Sequence, residues 1–170
     1  MKFCTVLHTL KSPQNVGTII RTHVAFNGSE VVFVGQEKPW SFGKGTQAFS
    51  RKLERLCKMV FLPTDEALFG WCKEQGYSTV AVEIDHISTP VHSFQFPSAS
   101  ALIFGSEGHG LTREFLEGCD SVIRIPQPGA VGSLNVGVSA AIIMYELSRA
   151  SGVEQSIEGS KFAGEPKLCG

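Results

Sequence analysis

Two apolar runs, Ala101–Phe104 and Val122–Ile125, each break off into a loop dense in glycine. The first loop is Gly105-Ser-Glu-Gly-His-Gly110. The second is Pro126-Gln-Pro-Gly-Ala-Val-Gly132, and Ser133-Leu-Asn135 then leads into a nearly uncharged stretch reaching Arg149. Short apolar runs bounded by Gly and Pro read as buried strands, and the longer stretch reads as a helix. In an open α/β sheet, ligands bind beyond the carboxyl ends of the strands. Glu107, Ser133 and Asn135 sit at the edges of these two loops and are candidate site residues.

Upstream, apolar runs and helical patterns alternate. Phe3–His8 is β-branched and aromatic, and reads as a first strand. Ser12-Pro13 opens a helix predicted to reach about Phe26, with Val16, Ile19, Ile20 and Val24 as its buried stripe. Gly17 and Arg21 lie four apart on the opposite side. Glycine inside a helix costs about 1 kcal/mol against alanine, so another element is expected to approach the backbone at Gly17. Further strands are predicted at Val31–Val34, Lys58–Leu62 and Ser78–Glu83. A polar loop is predicted from Gly35 to Thr46 and a short basic helix over Gln47–Leu56. Thr64 caps a helix ending at Gly76. The segment His86–Ser100, with Pro90 and Pro97, reads as irregular, and Thr112–Leu116 as a short helix. The last helix is expected over Leu134–Ala150. Strands alternating with helices argue for an α/β fold on a parallel sheet. Residues 1–150 form one domain, and the polar, glycine-rich 151–170 reads as a loose tail.

A chain of 170 residues with 42% apolar and 18% charged side chains has enough apolar surface for a core. No apolar run approaches the ~18 residues of a membrane span. His8 and Lys11 interrupt the first apolar run, which argues against a signal peptide. Five widely spaced cysteines without a Cys-x-x-Cys pair suggest reduced thiols, a cytoplasmic location and no zinc framework. Charge is uneven: residues 1–60 hold nine Lys/Arg against three Asp/Glu, and residues 61–170 hold six against thirteen. Lys44, Arg51, Lys52, Arg55 and Lys58 fit either a solvated helix face or a patch contacting phosphates.

Several chemistries lack their residues. There is no Gly-x4-Gly-Lys-Ser/Thr loop and no His-Glu-x-x-His, and no histidine pair has metal-ligand spacing. Gly43-Lys-Gly-Thr-Gln-Ala48 matches a dinucleotide fingerprint by letters, but does not directly follow a strand. Gly105-Ser-Glu-Gly108 is not a nucleophile elbow. His109 reads either as a general base or as a plain loop residue. What remains is a site built largely of backbone, where Gly105, Gly108, Gly110, Gly129 and Gly132 permit close approach or positive φ, or serve only as tight turns.

Three segments together resemble the sequence motifs of the SPOUT methyltransferases, in their SpoU–TrmH branch of RNA ribose 2′-O-methyltransferases. They are Pro13-Gln-Asn-Val-Gly-Thr-Ile-Ile-Arg21 with Ala25-Phe-Asn-Gly28, then Ile103-Phe-Gly-Ser-Glu-Gly-His-Gly-Leu111, then Ile125-Pro-Gln-Pro-Gly-Ala-Val-Gly-Ser-Leu-Asn-Val136 with the helix to Tyr145-Glu146. Order and spacing match over most of residues 13–149. Gly137 departs from the family pattern, which often has serine there, and Gln127-Pro128 is unusual in a segment that often carries methionine.

The resemblance implies an α/β/α sandwich with a deep C-terminal trefoil knot, S-adenosylmethionine bound bent in that knot, and an obligate homodimer. The apolar character of the last helix on nearly all sides agrees with the dimer, or with burial inside one chain. By resemblance the catalytic set is Arg21, Asn15, Glu107, Ser133 and Asn135, with Asn15 and Glu107 orienting Arg21 and the substrate. Glu107 read alone is a loop or cap acid, and Ser133 and Asn135 read alone are caps of the last helix. Val82, Gly105, Ile125, Pro126, Ser133, Leu134 and Asn135 would line the cofactor pocket. Arg21, Lys44, Arg51, Lys52 and Arg55 would bind RNA, and no metal is implied. With the first strand predicted at Phe3, no added N-terminal RNA-binding domain is expected, and the resemblance of such a stand-alone domain to the tRNA-modifying members implies tRNA rather than ribosomal RNA. The same fold methylating a base, or binding RNA without catalysis, are the alternatives.

Overall fold

The structure, a computed structural model, describes residues 1–35 and 40–152. The start of the loop predicted after Gly35, and the tail beyond Gly152, lie outside the described residues. Seven strands form one sheet in the order β3-β2-β1-β6-β4-β7-β5, and every pairing is parallel. They are β1 (Lys2–His8), β2 (Glu30–Val34), β3 (Lys58–Leu62), β4 (Ser78–Val82), β5 (Thr89–Pro90), β6 (Ala99–Phe104) and β7 (Ser121–Arg124). Five helices connect them: α1 (Pro13–Ala25), α2 (Lys44–Ser50), α3 (Asp65–Gln75), α4 (Arg113–Glu117) and α5 (Val136–Ala150).

Because parallel sheets are covered on both faces, their strands read as apolar runs. The strand period of two then sorts the residues into two cores. Phe3, Leu7, Val31, Phe33, Leu102 and Phe104 face α1 and α5. Cys4, Val6, Val32, Val34, Ala101 and Ile103 face α3 and α4. The result is an α/β/α sandwich. Cys4, Cys57, Cys72 and Cys119 are free thiols. Among the described residues no helix is long and apolar enough to cross a membrane.

The structure corrects three expectations. The segment predicted as irregular contains a seventh strand, β5, and a 3-10 turn at Val91–Ser93. Pro90 is tolerated there because β5 is an edge strand, where a missing N–H removes no ladder bond. The basic helix predicted over Gln47–Leu56 is broken: α2 ends at Ser50, Arg51 and Lys52 adopt left-handed φ of 53° and 63°, and a 3-10 turn follows at Leu53–Leu56. The last helix starts at Val136 rather than Leu134, because Asn135 is its cap.

Gly17 explains itself. A Cβ there would lie 2.5 Å from the Thr46 carbonyl oxygen and 2.8 Å from Phe49 Cβ, so α2 rests directly on the α1 backbone. Gly137 performs the same service between α5 and α1, where a Cβ would meet Thr18 Cγ2 at 3.2 Å. The departure from serine at this position fits that close crossing.

On the buried side of α1, His23 is 1% exposed. Its Nδ1 lies 2.8 Å from the Thr5 hydroxyl, and its buried Nε2 has no hydrogen-bond partner among the described residues. Burial pushes its imidazole down to about 4. The unfolded histidine titrates near 6.5, so between these values the unfolded chain binds more protons and stability falls as pH drops. His23 therefore contributes fully above about pH 6.5, and its contribution is lost as pH falls through about 4, by roughly 3 kcal/mol in all. Urea unfolding at pH 7 and pH 4.5 should show this loss in the parent and a smaller one in His23→Gln. Equal losses would mean that other groups carry the acid sensitivity.

Candidate active site

The carboxyl ends of β4, β6 and β7 and the N-termini of α1 and α5 converge on one place. Glu107, from the first glycine loop, reaches the start of α1. Its Oε1 accepts from the Ser12 N–H (3.0 Å) and the Asn15 amide (2.9 Å), and its Oε2 accepts from the Lys11 N–H (3.2 Å). A carboxylate at a helix N-terminus meets unsatisfied N–H groups and the positive end of the dipole. Burial pushes the Glu107 carboxyl up, but the Asn15 amide and surrounding backbone N–H groups outweigh it and hold the group below its usual value.

Asn15 passes the connection on. A carboxylate can only accept, so the Asn15 Nδ2 must face Glu107 and its Oδ1 must face outward. That Oδ1 accepts from Asn135 Nδ2 at 3.0 Å. The Asn135 Oδ1 in turn accepts from the N–H groups of Gly137 (2.9 Å) and Val138 (3.3 Å), capping α5. One chain of hydrogen bonds thus joins residues 107, 15 and 135. Each side-chain amide has one orientation consistent with its neighbours.

The first glycine loop folds back on itself. Ser106 bridges to Gly110, and a Cβ on Gly105 would lie 2.5 Å from the Gly110 carbonyl carbon. Gly110 has φ +64°, and a Cβ there would fall 2.3 Å from Glu83 Oε2. Glu83 follows β4 directly and accepts from the N–H groups of Ile84 (3.0 Å) and Leu111 (3.1 Å). It is a site residue absent from the sequence-based set. The signal for it was present: it is the first charged residue after an apolar strand.

A cleft of about 650 Å³ opens at this point. Of the residues predicted to hold a cofactor, Val82, Gly105, Ile125, Ser133, Leu134 and Asn135 line it, together with Asn15, Glu107 and Glu83. Pro126 instead lines a neighbouring cleft with Gly129 and Gly132. Of the five loop glycines, Gly110 adopts positive φ and Gly105 lies against the Gly110 backbone, while a Cβ on Gly108, Gly129 or Gly132 would meet nothing within 4 Å.

Arg21 does not line the cleft, and neither Asn15 nor Glu107 touches it. Six residues along a helix are about 9 Å of rise and about 240° of rotation, which carries Arg21 away from Asn15. Gly17 faces α2 and Thr18 faces α5. At about 100° per residue, Arg21 falls between those two directions, over the groove between α2 and α5. It is exposed and makes no hydrogen bond or ion pair among the described residues.

Lys44, Arg51, Lys52 and Arg55 are exposed on α2 and the turn after it. Lys58 does not belong with them, since at the start of β3 it pairs with the buried Glu30 at 3.3 Å. Arg113 is held by Asp85 and Glu117.

The profile of the SpoU rRNA Methylase family matches residues 2–145. A TrmH family tRNA/rRNA methyltransferase of Staphylococcus haemolyticus is 29% identical over 144 residues, 85% of this chain and 57% of that protein. The tRNA (guanosine(18)-2′-O)-methyltransferase TARBP1 of Mus musculus is 29% identical over 150 residues, covering 87% of this chain and 9% of that protein. The chain thus spans little more than half of the bacterial relative. Among solved structures, the AdoMet-bound rRNA methyltransferase of Sinorhizobium meliloti superposes with TM-score 0.80 at 26% identity, over 87% of this chain and 56% of that one.

The hydrogen-bonded chain should couple energetically. Asn15→Ala and Asn135→Ala are each expected to destabilise by about 1–2 kcal/mol, through lost bonds and a lost cap. A double-mutant cycle in urea should give a coupling of at least about 0.5 kcal/mol. Strict additivity would show that the bond between them contributes nothing. With three distant segments locked at the carboxyl end of a parallel sheet, and a family profile covering nearly all the described chain, this protein belongs to the SpoU rRNA methylase family of RNA methyltransferases.

Proposed function

We propose that this chain is an S-adenosylmethionine-dependent RNA ribose 2′-O-methyltransferase acting on tRNA. The observation that carries the reading is the Glu107–Asn15–Asn135 connection, which ties the first glycine loop, the start of α1 and the cap of α5 together around one cleft. The cleft suits the cofactor. Its volume lies in the range of small-molecule sites, and open backbone at Gly108 and Gly132 leaves peptide groups free to hold an adenosine.

S-adenosylmethionine supplies a methyl group on a sulfonium leaving group. The chain's own residues then have three tasks: to hold that group, to bring a ribose 2′-oxygen in line behind the methyl carbon, and to ease loss of the hydroxyl proton. Backbone around 105–110, with Ile125, Leu134 and Ser133, serves the first. Arg21 serves the others as a permanently charged guanidinium that holds an RNA phosphate and stabilises developing negative charge on the ribose oxygen. A guanidinium stays protonated in proteins and is a poor proton acceptor, so the proton goes to phosphate or water.

Two further features belong to the reading. Around α5, Gly137, Ala140, Ile143, Met144 and Leu147 are buried, while Val138 and Tyr145 are exposed and Ala141 and Ile142 half-buried, forming a second apolar stripe. A homodimer through this stripe would cover it and bring a second copy close to Arg21, which stands away from its own cleft. Threading of the C-terminal segment as a trefoil knot fits β6 and β7 flanking β4 and α5 returning onto α1. The tRNA preference draws on the likeness to the mouse tRNA enzyme. Base methylation and non-catalytic RNA binding are disfavoured because Arg21, Glu107, Ser133 and Asn135 are all retained.

Bulk tRNA incubated with labelled cofactor and the protein should gain label in alkali-resistant dinucleotides, the mark of a 2′-O-methyl group. Arg21→Ala should lower transfer by roughly 10²-fold or more and leave cofactor affinity within a few-fold. Label in free bases, or an equal loss of cofactor binding, would overturn the assignment. Sedimentation at micromolar concentration should give a dimer that Tyr145→Asp dissociates; an active monomeric parent would remove the dimer from the reading.

A further inference from the structure

Phe49 is 39% exposed on α2 and, among the described residues, belongs to neither core cluster. Its Cβ sits against Gly17, one helical turn before Arg21 on the same side of α1. The two helices run alongside each other in register: Gly45 lies by Pro13, and Phe49 and Ser50 lie by Gly17. One more turn along both puts Arg21 beside the segment that follows α2. That segment is strongly presented. The buried Ser50 donates to the buried Glu54, and the Lys52 N–H donates to Ser50, which fixes the left-handed bend at Arg51 and Lys52. The bend turns Arg51 and Lys52 to solvent, with Arg55 and the 73% exposed Leu56 just beyond.

An exposed ring flanked by exposed guanidinium and ammonium groups is the chemistry of single-strand nucleic-acid binding: cations track phosphates, and the aromatic face stacks an unpaired base. A duplex offers the phosphates but keeps its bases stacked. We infer that Phe49 is a stacking platform for an unpaired base next to the target nucleotide, so that the enzyme selects an unpaired RNA strand at Arg21. This rests on the proposed role of Arg21 at the target ribose. The cations supply affinity without selection, and Phe49 supplies selection between unpaired and paired RNA.

The test uses the whole protein, a single-stranded oligoribonucleotide carrying 2-aminopurine, and the same sequence closed into a duplex. The parent should bind the single strand more tightly and change the 2-aminopurine fluorescence. Phe49→Ala should weaken single-strand binding by roughly tenfold or more, abolish the fluorescence change and leave duplex binding unaltered. Phe49→Trp should restore both. Replacing Arg51 and Lys52 together by alanine should instead weaken both forms and flatten the salt dependence by close to one unit of slope per lost contact. Cofactor affinity and sedimentation should be unchanged in every variant. The platform is overturned if Phe49→Ala matches the parent, weakens both RNA forms equally, or dissociates a dimer, the last making Phe49 an interface residue. Should the parent methylate tRNA while Phe49→Ala is indifferent, only the platform falls. If the parent neither binds nor methylates RNA of any form, the proposed function falls and the platform with it.

Discussion

Everything at the carboxyl end of the sheet depends on where one carboxylate is held. Glu107 lies on a loop with a glycine at each end, a backbone with little intrinsic reason to keep one shape. What fixes it is the set of donors at the start of α1, two backbone N–H groups and one amide. The Ser12 N–H is a donor that a helix N-terminus leaves without an intrahelical partner. The loop therefore gains an anchor and the start of α1 gains an acceptor, while the Ser12 side chain caps the helix. Asn15 then spends its remaining acceptor on Asn135, and Asn135 spends its own on capping α5. Two helix starts and one loop are bound by groups that each needed a partner.

This arrangement requires α1 and α5 to lie close, and their small residues make that possible. Gly137 meets Thr18 where a larger side chain would crowd. On the other side of α1, Gly17 lets α2 settle onto bare backbone. With one neighbour at Gly17 and another at Thr18, α1 has only a narrow outward face between them, and Arg21 occupies it. The position of Arg21 thus follows from two close helix contacts rather than from any bond of its own.

The sequence made most of the sheet legible because strands covered on both faces are continuous apolar runs. Val31–Val34 and Ala101–Phe104 could hardly be anything else. The two-residue β5 was not legible: a pair of ladder positions containing Pro90 leaves no periodicity, and only its neighbour β7 makes it a strand. The break after Ser50 was hidden for a related reason. Arg51 and Lys52 carry no turn signal, and their left-handed bend depends on the buried Ser50–Glu54 bond, which no local pattern encodes. The cleft residues were legible from three motifs in order, down to Asn15, Glu107 and Asn135. Their mutual contacts, 92 and 120 residues apart along the chain, were not. The separation of Arg21 from them was legible in principle, since six helical residues cannot keep two side chains on one face.

Glu83 shows how the site divides its labour. Both carboxylates of the loop region serve backbone: Glu107 receives the start of α1, and Glu83 receives the far end of the same loop at Leu111. The loop is thereby gripped at two points by charges of one sign, each satisfied by N–H donors. Its φ +64° corner at Gly110 is pressed against Glu83, so that corner cannot open without parting from the carboxylate. A cleft walled by backbone has few side chains to tune, and its shape depends on how firmly that backbone is held. Here the firmness comes from Glu83 and Glu107, which line the cleft and accept from peptide N–H groups at its edge. Arg21, the exposed guanidinium of α1, is left outside that cleft.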